Sequence, residues 1–277
     1  MRAGLLQLSV SDDPEANLPQ TLEMIARACD GGADLVLTPE VTNCLSVSRQ
    51  RQRDILRPEA EDPTLAGLRE AAARHGTWLL IGSLALMTDD PDGRFANRSF
   101  LIDPSGAIAA RYDKIHMFDV TVSETETYRE SAAYRPGERA VLADTPLGRI
   151  GMTICYDLRF PHLYRQLAQA GAEILTVPAA FSPVTGAAHW EPLLRARAIE
   201  CGAFVLAPAQ CGRHRACEGK ERSTHGHSMA IAPWGEVLAD AGEDPGVTLV
   251  DIDLAEVARA RARVSSLDHD RAFGAPS

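Results

Sequence analysis

Apolar positions recur with two different periods along the chain, and each change of period predicts a new secondary-structure element. A continuous apolar run at 3–10 predicts a strand, and a shorter run at 34–40 predicts a buried one. Residues 17–33 carry apolar side chains at helical spacing and end in a glycine pair, whereas residues 62–76 begin with Asp-Pro and end in glycine. Both patterns predict helices that carry their own start or stop signals.

The alternation of strand and helix patterns continues to the end of the chain. Strands are predicted at 77–86, 98–103, 107–112, 140–145, 149–154, 172–178, 203–210, 226–232, 236–240 and 246–253. Helices are predicted at 161–170, 188–202 and 254–264. Between them, residues 113–137 carry no long periodic pattern, and an irregular stretch of this length inside a compact domain is often functional.

This order of elements predicts a layered fold. Strands that are joined partly by hairpins and partly by helical crossovers are typical of an α/β or α+β domain. The predicted strands are too many for one short sheet, so we expect two packed sheets with helices outside them. Because no Pro-rich or Gly/Ser-rich linker divides the sequence, we expect residues 1–277 to form a single domain.

Composition and charge narrow the class of protein. The chain is 45% apolar and 24% charged, which is ordinary for a soluble globular protein. Its net charge of −10 argues against a nucleic-acid partner, because phosphate backbones require clustered Lys and Arg. The sequence shows no signal-peptide pattern, no apolar run long enough to span a membrane and no CxxC pair among its six cysteines. We therefore expect a cytoplasmic protein with reduced thiols and no membrane partner.

Three residues whose side chains can take part in catalysis stand where predicted strands end. Glu40 closes the strand at 34–40, Lys114 follows the strand at 107–112, and Cys155 follows the strand at 149–154. In layered α/β proteins, sites form beyond the carboxyl ends of strands, so the three side chains would share one pocket if these ends converge. The same residues are also open to structural interpretations as a helix cap, a surface lysine and a core thiol.

A carboxylate, an ammonium and a thiol in one pocket suit the hydrolysis of an amide. A free thiol has a pKa of about 8.5, so a neighbouring carboxylate is needed to take its proton as it attacks a carbonyl carbon. The ammonium and a backbone N–H, such as that of Tyr156, would stabilise the negative oxygen that forms. Water would then hydrolyse the thioester, and the reaction needs neither metal nor cofactor.

The segments around these residues resemble the nitrilase, or carbon–nitrogen hydrolase, superfamily. "LVLTPE" is similar to its catalytic-glutamate segment, "YDKIHMFD" to its lysine segment and "GMTICYDLRFP" to its nucleophile segment. The likeness covers about 4–254 and keeps the family's order of motifs. It implies a four-layer αββα sandwich, commonly assembled as a homodimer or a higher homo-oligomer, with a C-terminal tail at 264–277 that reaches a subunit contact.

The resemblance also implies a second glutamate between the lysine and the cysteine. Glu130, in "TYRES", matches that position best, and its implied role is to hold Lys114 and the substrate amide. Glu124, Glu126 and Glu138 are alternatives in the same region, and a solvated loop acid is the structural alternative. With Glu40 and Glu130 on either side, Lys114 is expected to stay charged.

Later segments narrow the resemblance to one branch. "AGAEILTVPAAFSPVTGAAHWEPLLRARAIE", "AQCGRH" and "GHSMAIAPWGEV" resemble the branch that contains deaminated glutathione amidase and omega-amidase. The implied activity is a linear amidase that converts a 2-oxo acid amide to 2-oxoglutarate and cysteinylglycine. Omega-amidase activity on 2-oxoglutaramate, N-carbamoyl amino acid or aliphatic amide hydrolysis, and a non-catalytic protein on the same fold are the alternatives.

Such a substrate carries a carboxylate, and the resemblance implies residues that bind it. Arg159 is similar to the family's carboxylate-binding arginine, and a salt bridge with Asp157 or another acid is the structural alternative. Phe181 and Thr185 fall where this branch lines its pocket, and a core position is the structural alternative for Phe181. The Cys- and His-rich segment 211–227 fits no familiar metal-ligand spacing, so we expect it to border the pocket without a metal.

Overall fold

The computed structural model describes residues 1–123 and 126–274. The helices are α1 Pro14–Asp30, α2 Arg49–Ile55, α3 Pro63–His75, α4 Pro161–Gln169, α5 Pro183–Cys201 and α6 Ala255–Arg263. The strands of the first half are β1 Arg2–Gln7, β2 Leu35–Leu37, β3 Trp78–Leu86, β4 Ala96–Ile102, β5 Ile108–Asp113, β6 Asp119–Ser123, β7 Glu126–Arg129 and β8 Val141–Thr145. Those of the second half are β9 Gly148–Met152, β10 Ile174–Thr176, β11 Phe204–Ala207, β12 Cys211–His214, β13 Arg222–His225, β14 Met229–Ile231, β15 Val237–Asp240 and β16 Gly246–Asp251.

The strands form two six-stranded sheets. The first has the order β16-β1-β2-β3-β4-β5, and the second has the order β15-β14-β11-β10-β9-β8. In the first sheet β1, β2 and β3 are parallel, and β5 runs in the same direction because β4 is antiparallel to both of its neighbours. In the second sheet β9, β10 and β11 are parallel. The carboxyl ends of these strands therefore share one edge of each sheet.

Alternation along the central strands explains how the sheets stack. Leu35, Leu37 and Leu80 belong to one buried cluster with the second sheet and with α4 and α5. Val36 and Leu79, one position along, belong to the other cluster, which is shared with α1 and α3. Because successive side chains of a strand point to opposite faces, the first sheet is buried on both sides. The predicted αββα sandwich is confirmed.

The structure adds detail to two stretches of the chain beyond what the sequence predicted. The stretch 113–137 is more regular than expected, because β6 and β7 form a hairpin there and Glu130–Ala132 forms a 3₁₀ helix. The tail at 264–277 folds back on its own chain as far as Asp270, whose carboxylate pairs with Arg165 of α4. Residues 275–277 lie outside the described part of the chain. Within the described residues, no helix is long and apolar enough to cross a membrane.

Candidate active site

Glu40 lies three residues beyond the carboxyl end of β2, a strand of the first sheet, and is 4% exposed. Its Oε1 accepts hydrogen bonds from Lys114 Nζ at 2.8 Å and from Asn97 Nδ2 at 2.9 Å. Its Oε2 accepts from the backbone N–H of Ala180 at 2.8 Å. The carboxylate is therefore held on both oxygens by groups from three different elements, which gives it one orientation.

Lys114 follows β5 directly and lies between two carboxylates. Its Nζ is 2.8 Å from Glu40 Oε1 and 2.9 Å from each carboxylate oxygen of Glu130. The side chain is 2% exposed. An ammonium buried to this extent is tolerated only with such partners, because burial of an unpaired charge is very costly.

Glu130 stands on the 3₁₀ helix that follows the β6–β7 hairpin. Besides Lys114, its Oε2 accepts a 2.6 Å hydrogen bond from the backbone N–H of Phe118. Of the alternative acids, Glu138 is exposed and does not line the cavity described below. Glu124 lies outside the described residues, as does the side chain of Glu126. The structure thus places Glu130 beside Lys114, as the resemblance implied.

Cys155 begins a 3₁₀ helix, Cys155–Arg159, three residues beyond the end of β9 on the second sheet. Its φ is +48°, a left-handed conformation that is unfavourable for a residue with a Cβ. The backbone N–H donates to the carbonyl of Pro178 at 2.9 Å, which fixes the turn. The thiol makes a hydrogen bond with the Glu40 carboxylate, so the two sheets meet at these two side chains.

A glycine allows this close approach of the two sheets. A Cβ on Gly82 of β3 would lie 2.0 Å from the carbonyl oxygen of Thr38 and 2.5 Å from Cβ of Pro178. Pro178 is the residue that accepts the hydrogen bond from the Cys155 backbone. Gly82 is therefore required for the backbone that carries Glu40 to pack against the backbone that supports Cys155.

Asp157 has a role that the sequence did not show. Its buried carboxylate accepts from Tyr112 Oη at 2.7 Å, from the backbone N–H of Ile154 at 2.9 Å and from that of His116 at 3.0 Å. His116 Nδ1 lies 2.7 Å from the same carboxylate. Asp157 therefore ties the cysteine turn to the segment that carries Lys114. Asp157 and Arg159 form no salt bridge in the described part of the chain.

Burial and the neighbouring charges set the protonation state of the site. Burial raises the pKa of the Cys155 thiol well above its usual value, and the Glu40 carboxylate adds to this shift. Burial also opposes ionisation of Glu40, but Lys114 and the hydrogen bonds outweigh it and hold the Glu40 pKa below its usual value. Burial opposes the charge on Lys114, yet Glu130 and Glu40 raise its pKa overall. The resting site thus contains a thiol, a carboxylate and an ammonium.

A cavity of about 630 Å³ opens above these side chains. Glu40, Lys114, Glu130, Cys155 and Tyr156 line it, and so do two further predicted residues, Phe181 and Thr185. Arg159 is not part of the described lining: its Cζ lies 5.5 Å from the ring centroid of Phe181, one side chain away. The cavity is large enough for a substrate of dipeptide size or more.

The Cys- and His-rich segment forms the β12–β13 hairpin, which borders the cavity through 220–223. His214 is buried between the carbonyl of Val10 and the hydroxyl of Thr224, both 2.7 Å from its ring nitrogens. His227 contacts Asp240 at 2.9 Å. The described residues contain no group of three or more His, Cys, Asp or Glu side chains able to hold a metal ion.

Comparison with known proteins identifies the family. The family model described as carbon–nitrogen hydrolase matches residues 2–262. The chain belongs to the carbon–nitrogen hydrolase family. It is 42% identical over 269 residues to the deaminated glutathione amidase of Yersinia enterocolitica, and the match covers 97% of this chain and 92% of the relative. The chain is therefore a hydrolase that acts on carbon–nitrogen bonds other than peptide bonds.

Solved structures of the family agree with the fold. The C. elegans NitFhit protein superposes with a TM-score of 0.89 at 35% identity, over 98% of this chain and 65% of that one. A mutant amidase from Nesterenkonia sp. AN1 superposes with a TM-score of 0.77 at 26% identity, over 96% of this chain and 98% of that one. That structure shows the result of Michael addition of acrylamide at the active-site cysteine.

Proposed function

We propose that this carbon–nitrogen hydrolase is an amidase in which Cys155 is the nucleophile, Glu40 the general base and Lys114 the principal oxyanion ligand. The observation that carries the proposal is the direct contact of all three groups. Glu40 hydrogen-bonds the thiol and Lys114 at the same time, on the wall of one cavity. A modified active-site cysteine in the Nesterenkonia amidase supports the assignment of Cys155.

The reaction follows from these positions. Glu40 takes the thiol proton while Sγ attacks the amide carbon, and the carbonyl oxygen becomes negative. Lys114 makes three hydrogen bonds at rest, two of them to Glu130, so one donor turns from Glu130 to the oxyanion, which also accepts from the N–H of Tyr156. Glu40 then gives its proton to the departing nitrogen, and the C–N bond breaks to leave a thioester on Cys155.

Hydrolysis of the thioester uses the same groups in the same order. Glu40 accepts a proton from water as the water oxygen attacks the thioester carbon, and it returns that proton to Sγ when the C–S bond breaks. Glu130 takes no proton in this scheme. Its two contacts with Lys114 and the 2.6 Å bond from Phe118 hold the ammonium and its loop against the substrate amide.

We propose deaminated glutathione as the substrate, cleaved to 2-oxoglutarate and cysteinylglycine. The name of the Yersinia relative supports this choice, and so does a cavity of about 630 Å³, which is generous for 2-oxoglutaramate alone. Phe181 and Thr185, which line the cavity, are proposed to contact the 2-oxo acid half. Arg159, one ring away from the cavity, is proposed to hold the carboxylate of that half by closing over Phe181.

The test combines product analysis with a trapped intermediate. Purified protein mixed with deaminated glutathione should release 2-oxoglutarate, and rapid acid quenching should show the mass of a 2-oxoglutaryl thioester on the peptide that contains Cys155. Cys155→Ala should lose both signals. A higher kcat/KM on 2-oxoglutaramate would favour omega-amidase instead, and product formation by Cys155→Ala would overturn the nucleophile assignment.

We further propose that the protein works as a cytoplasmic homodimer or higher homo-oligomer. The resemblance to the family supports this, and so do the exposed apolar side chains of Ile199, Trp234 and Leu238. Light scattering at micromolar concentration should give at least twice the monomer mass of 29.9 kDa. A monomer mass at that concentration would contradict the proposal.

A further inference from the structure

The outer part of the cavity is basic although the protein as a whole is acidic. The net charge of the chain is −10, yet Arg49, Arg129, Lys220 and Arg222 all line the cavity beyond Lys114. Across the described side chains, none of these four forms a salt bridge. A cavity wall that carries unneutralised cations draws in anions, because the low-dielectric walls focus the field.

The remaining acid of this wall does not cancel the charge. Besides Glu40 and Glu130, which belong to Lys114, the described lining contains only Glu221 as an acid. Glu221 pairs with Arg213, a residue of β12 that does not line the cavity. The basic wall is therefore free to bind a negatively charged part of the substrate.

Arg222 is the best-placed of these cations. Its Nη2 donates to the carbonyl of Ala180 at 2.6 Å, and its Cζ lies 5.1 Å from the ring centroid of Tyr128. Its Nε is buried and has no hydrogen-bond partner within the described part of the chain. The guanidinium is thus held on one side by the carbonyl of Ala180 and stacked on Tyr128, and its hydrogen-bonding capacity is not exhausted by these contacts.

The distance from Arg222 to the reaction centre suits a dipeptide. Arg222 binds the carbonyl of Ala180, and the N–H of the same residue binds Glu40. The guanidinium nitrogen and the Glu40 carboxylate are therefore separated by two hydrogen bonds and one residue, at most about 9 Å. A two-residue amine spans about 7 Å when extended, so its terminal carboxylate reaches Arg222 when its nitrogen is beside Glu40.

We infer that Arg222 is a specificity-determining residue that binds the carboxylate of the departing amine. The guanidinium presents a fork of N–H donors that matches a carboxylate, and stacking over Tyr128 limits its motion. The site then selects amides whose leaving group is a short anionic peptide over primary amides that release ammonia. The inference rests on the proposed amidase function and adds the basis on which it distinguishes leaving groups.

The experiment compares three substrates with the same acyl half. Deaminated glutathione has the terminal carboxylate, its analogue ending in glycinamide lacks the charge, and 2-oxoglutaramate lacks the peptide. For Arg222→Gln, kcat/KM for deaminated glutathione should fall about 10- to 100-fold more than for the other two substrates. Arg222→Lys should recover part of this loss, because it restores the charge without the fork.

The same hairpin supplies a control. Arg215→Gln removes an exposed cation that does not line the cavity and forms no ion pair among the described residues, and it should leave all three kcat/KM values unchanged. Equal losses on all three substrates in Arg222→Gln would overturn the inference, since Arg222 would then only hold Ala180 and Glu40 in place. Absence of any loss on the carboxylate substrate would also overturn it. If the wild-type enzyme does not cleave deaminated glutathione at all, the proposed substrate and this inference both fail.

Discussion

Proton transfer at the site depends on one residue, Glu40, being ionised before the substrate arrives. Its carboxylate is buried, which disfavours the charge, but Lys114 at 2.8 Å and the N–H of Ala180 stabilise it. The Glu40 pKa lies below its usual value, while that of the Cys155 thiol lies well above its own. The proton therefore rests on sulfur and moves to Glu40 only during attack.

Replacement of the base tests this order of events. Glu40→Gln keeps the shape of the side chain but cannot accept the thiol proton, so we expect kcat to fall about 10²- to 10⁴-fold. In the wild type, the acid limb of kcat/KM should lie below pH 4.5, because activity is lost only as the ionised Glu40 takes up a proton. Steady-state rates measured across the pH range check both points.

Glu138→Gln provides the matched control for this substitution. Glu138 is exposed and lies outside the described cavity lining, so its amide variant should keep wild-type rates. Retention of more than a tenth of the wild-type kcat by Glu40→Gln would show that another group accepts the proton.

Individual site residues also show how much of the site could be predicted from the sequence. Glu40, Lys114 and Cys155 could be singled out because each ends a strand pattern, and Glu130 because of a family motif. The other groups that hold the carboxylates, Asn97 and the N–H groups of Phe118 and Ala180, gave no such signal. Their roles arise from contacts between residues far apart in the chain, which local periodicity does not encode.

At the scale of elements, the tightest packing in the site lies where Gly82 of β3 meets the segments that follow β2 and β10. Gly82→Ala would place a Cβ 2.0 Å from the Thr38 carbonyl oxygen, and a backbone atom cannot rotate away. We expect a loss of about 3 kcal/mol or more in the free energy of unfolding, with reduced activity. Urea denaturation monitored by circular dichroism measures the loss.

Gly246→Ala on β16 serves as the comparison for Gly82→Ala. No heavy atom lies within 4 Å of a Cβ built there, so stability should change by less than about 1 kcal/mol. Equal stabilities of the two variants would show that the sheets separate easily at Gly82.

Elements that the sequence missed share one physical property. The helix α2 buries only Gln52, and the hairpins β6–β7 and β12–β13 are two-stranded ribbons outside both main sheets. A hydrophobic period arises only where one face of an element is buried in the core. The large sheets and the packed helices have such faces, and for that reason their patterns predicted them.

At the scale of the whole molecule, the charged groups of the site come together only when the two sheets pack against each other. Glu40 and Cys155 come from different sheets, and Lys114 extends from the edge strand of the first sheet to join them. The layered fold was predictable from the order of strands and helices. The cation wall around Arg222 was not, because its members come from α2, β7 and the β12–β13 hairpin and meet only in the folded chain.

Removal of the buried cation should reverse the pH dependence of stability. In the wild type, the lowered pKa of Glu40 contributes stability that is fully present at pH 5 to 7 and is lost only as the pH falls through that pKa. In Lys114→Met, Glu40 is buried without its cation, so its pKa rises above the usual value. The folded state then binds a proton more readily than the unfolded state, and stability should increase as the pH falls from 7 to 5.

Urea unfolding at both pH values makes the comparison. At pH 7, Lys114→Met should lose about 3–5 kcal/mol, because an unpaired carboxylate remains buried, and part of this loss should be recovered at pH 5. Lys220→Met removes an exposed cation of the same cavity that forms no described ion pair, and it should follow the wild type at both pH values. A Lys114→Met variant whose stability changes with pH in parallel with the wild type would mean that Glu40 finds water or another partner. In that case the buried lysine would be needed for chemistry and not for the stability of the fold.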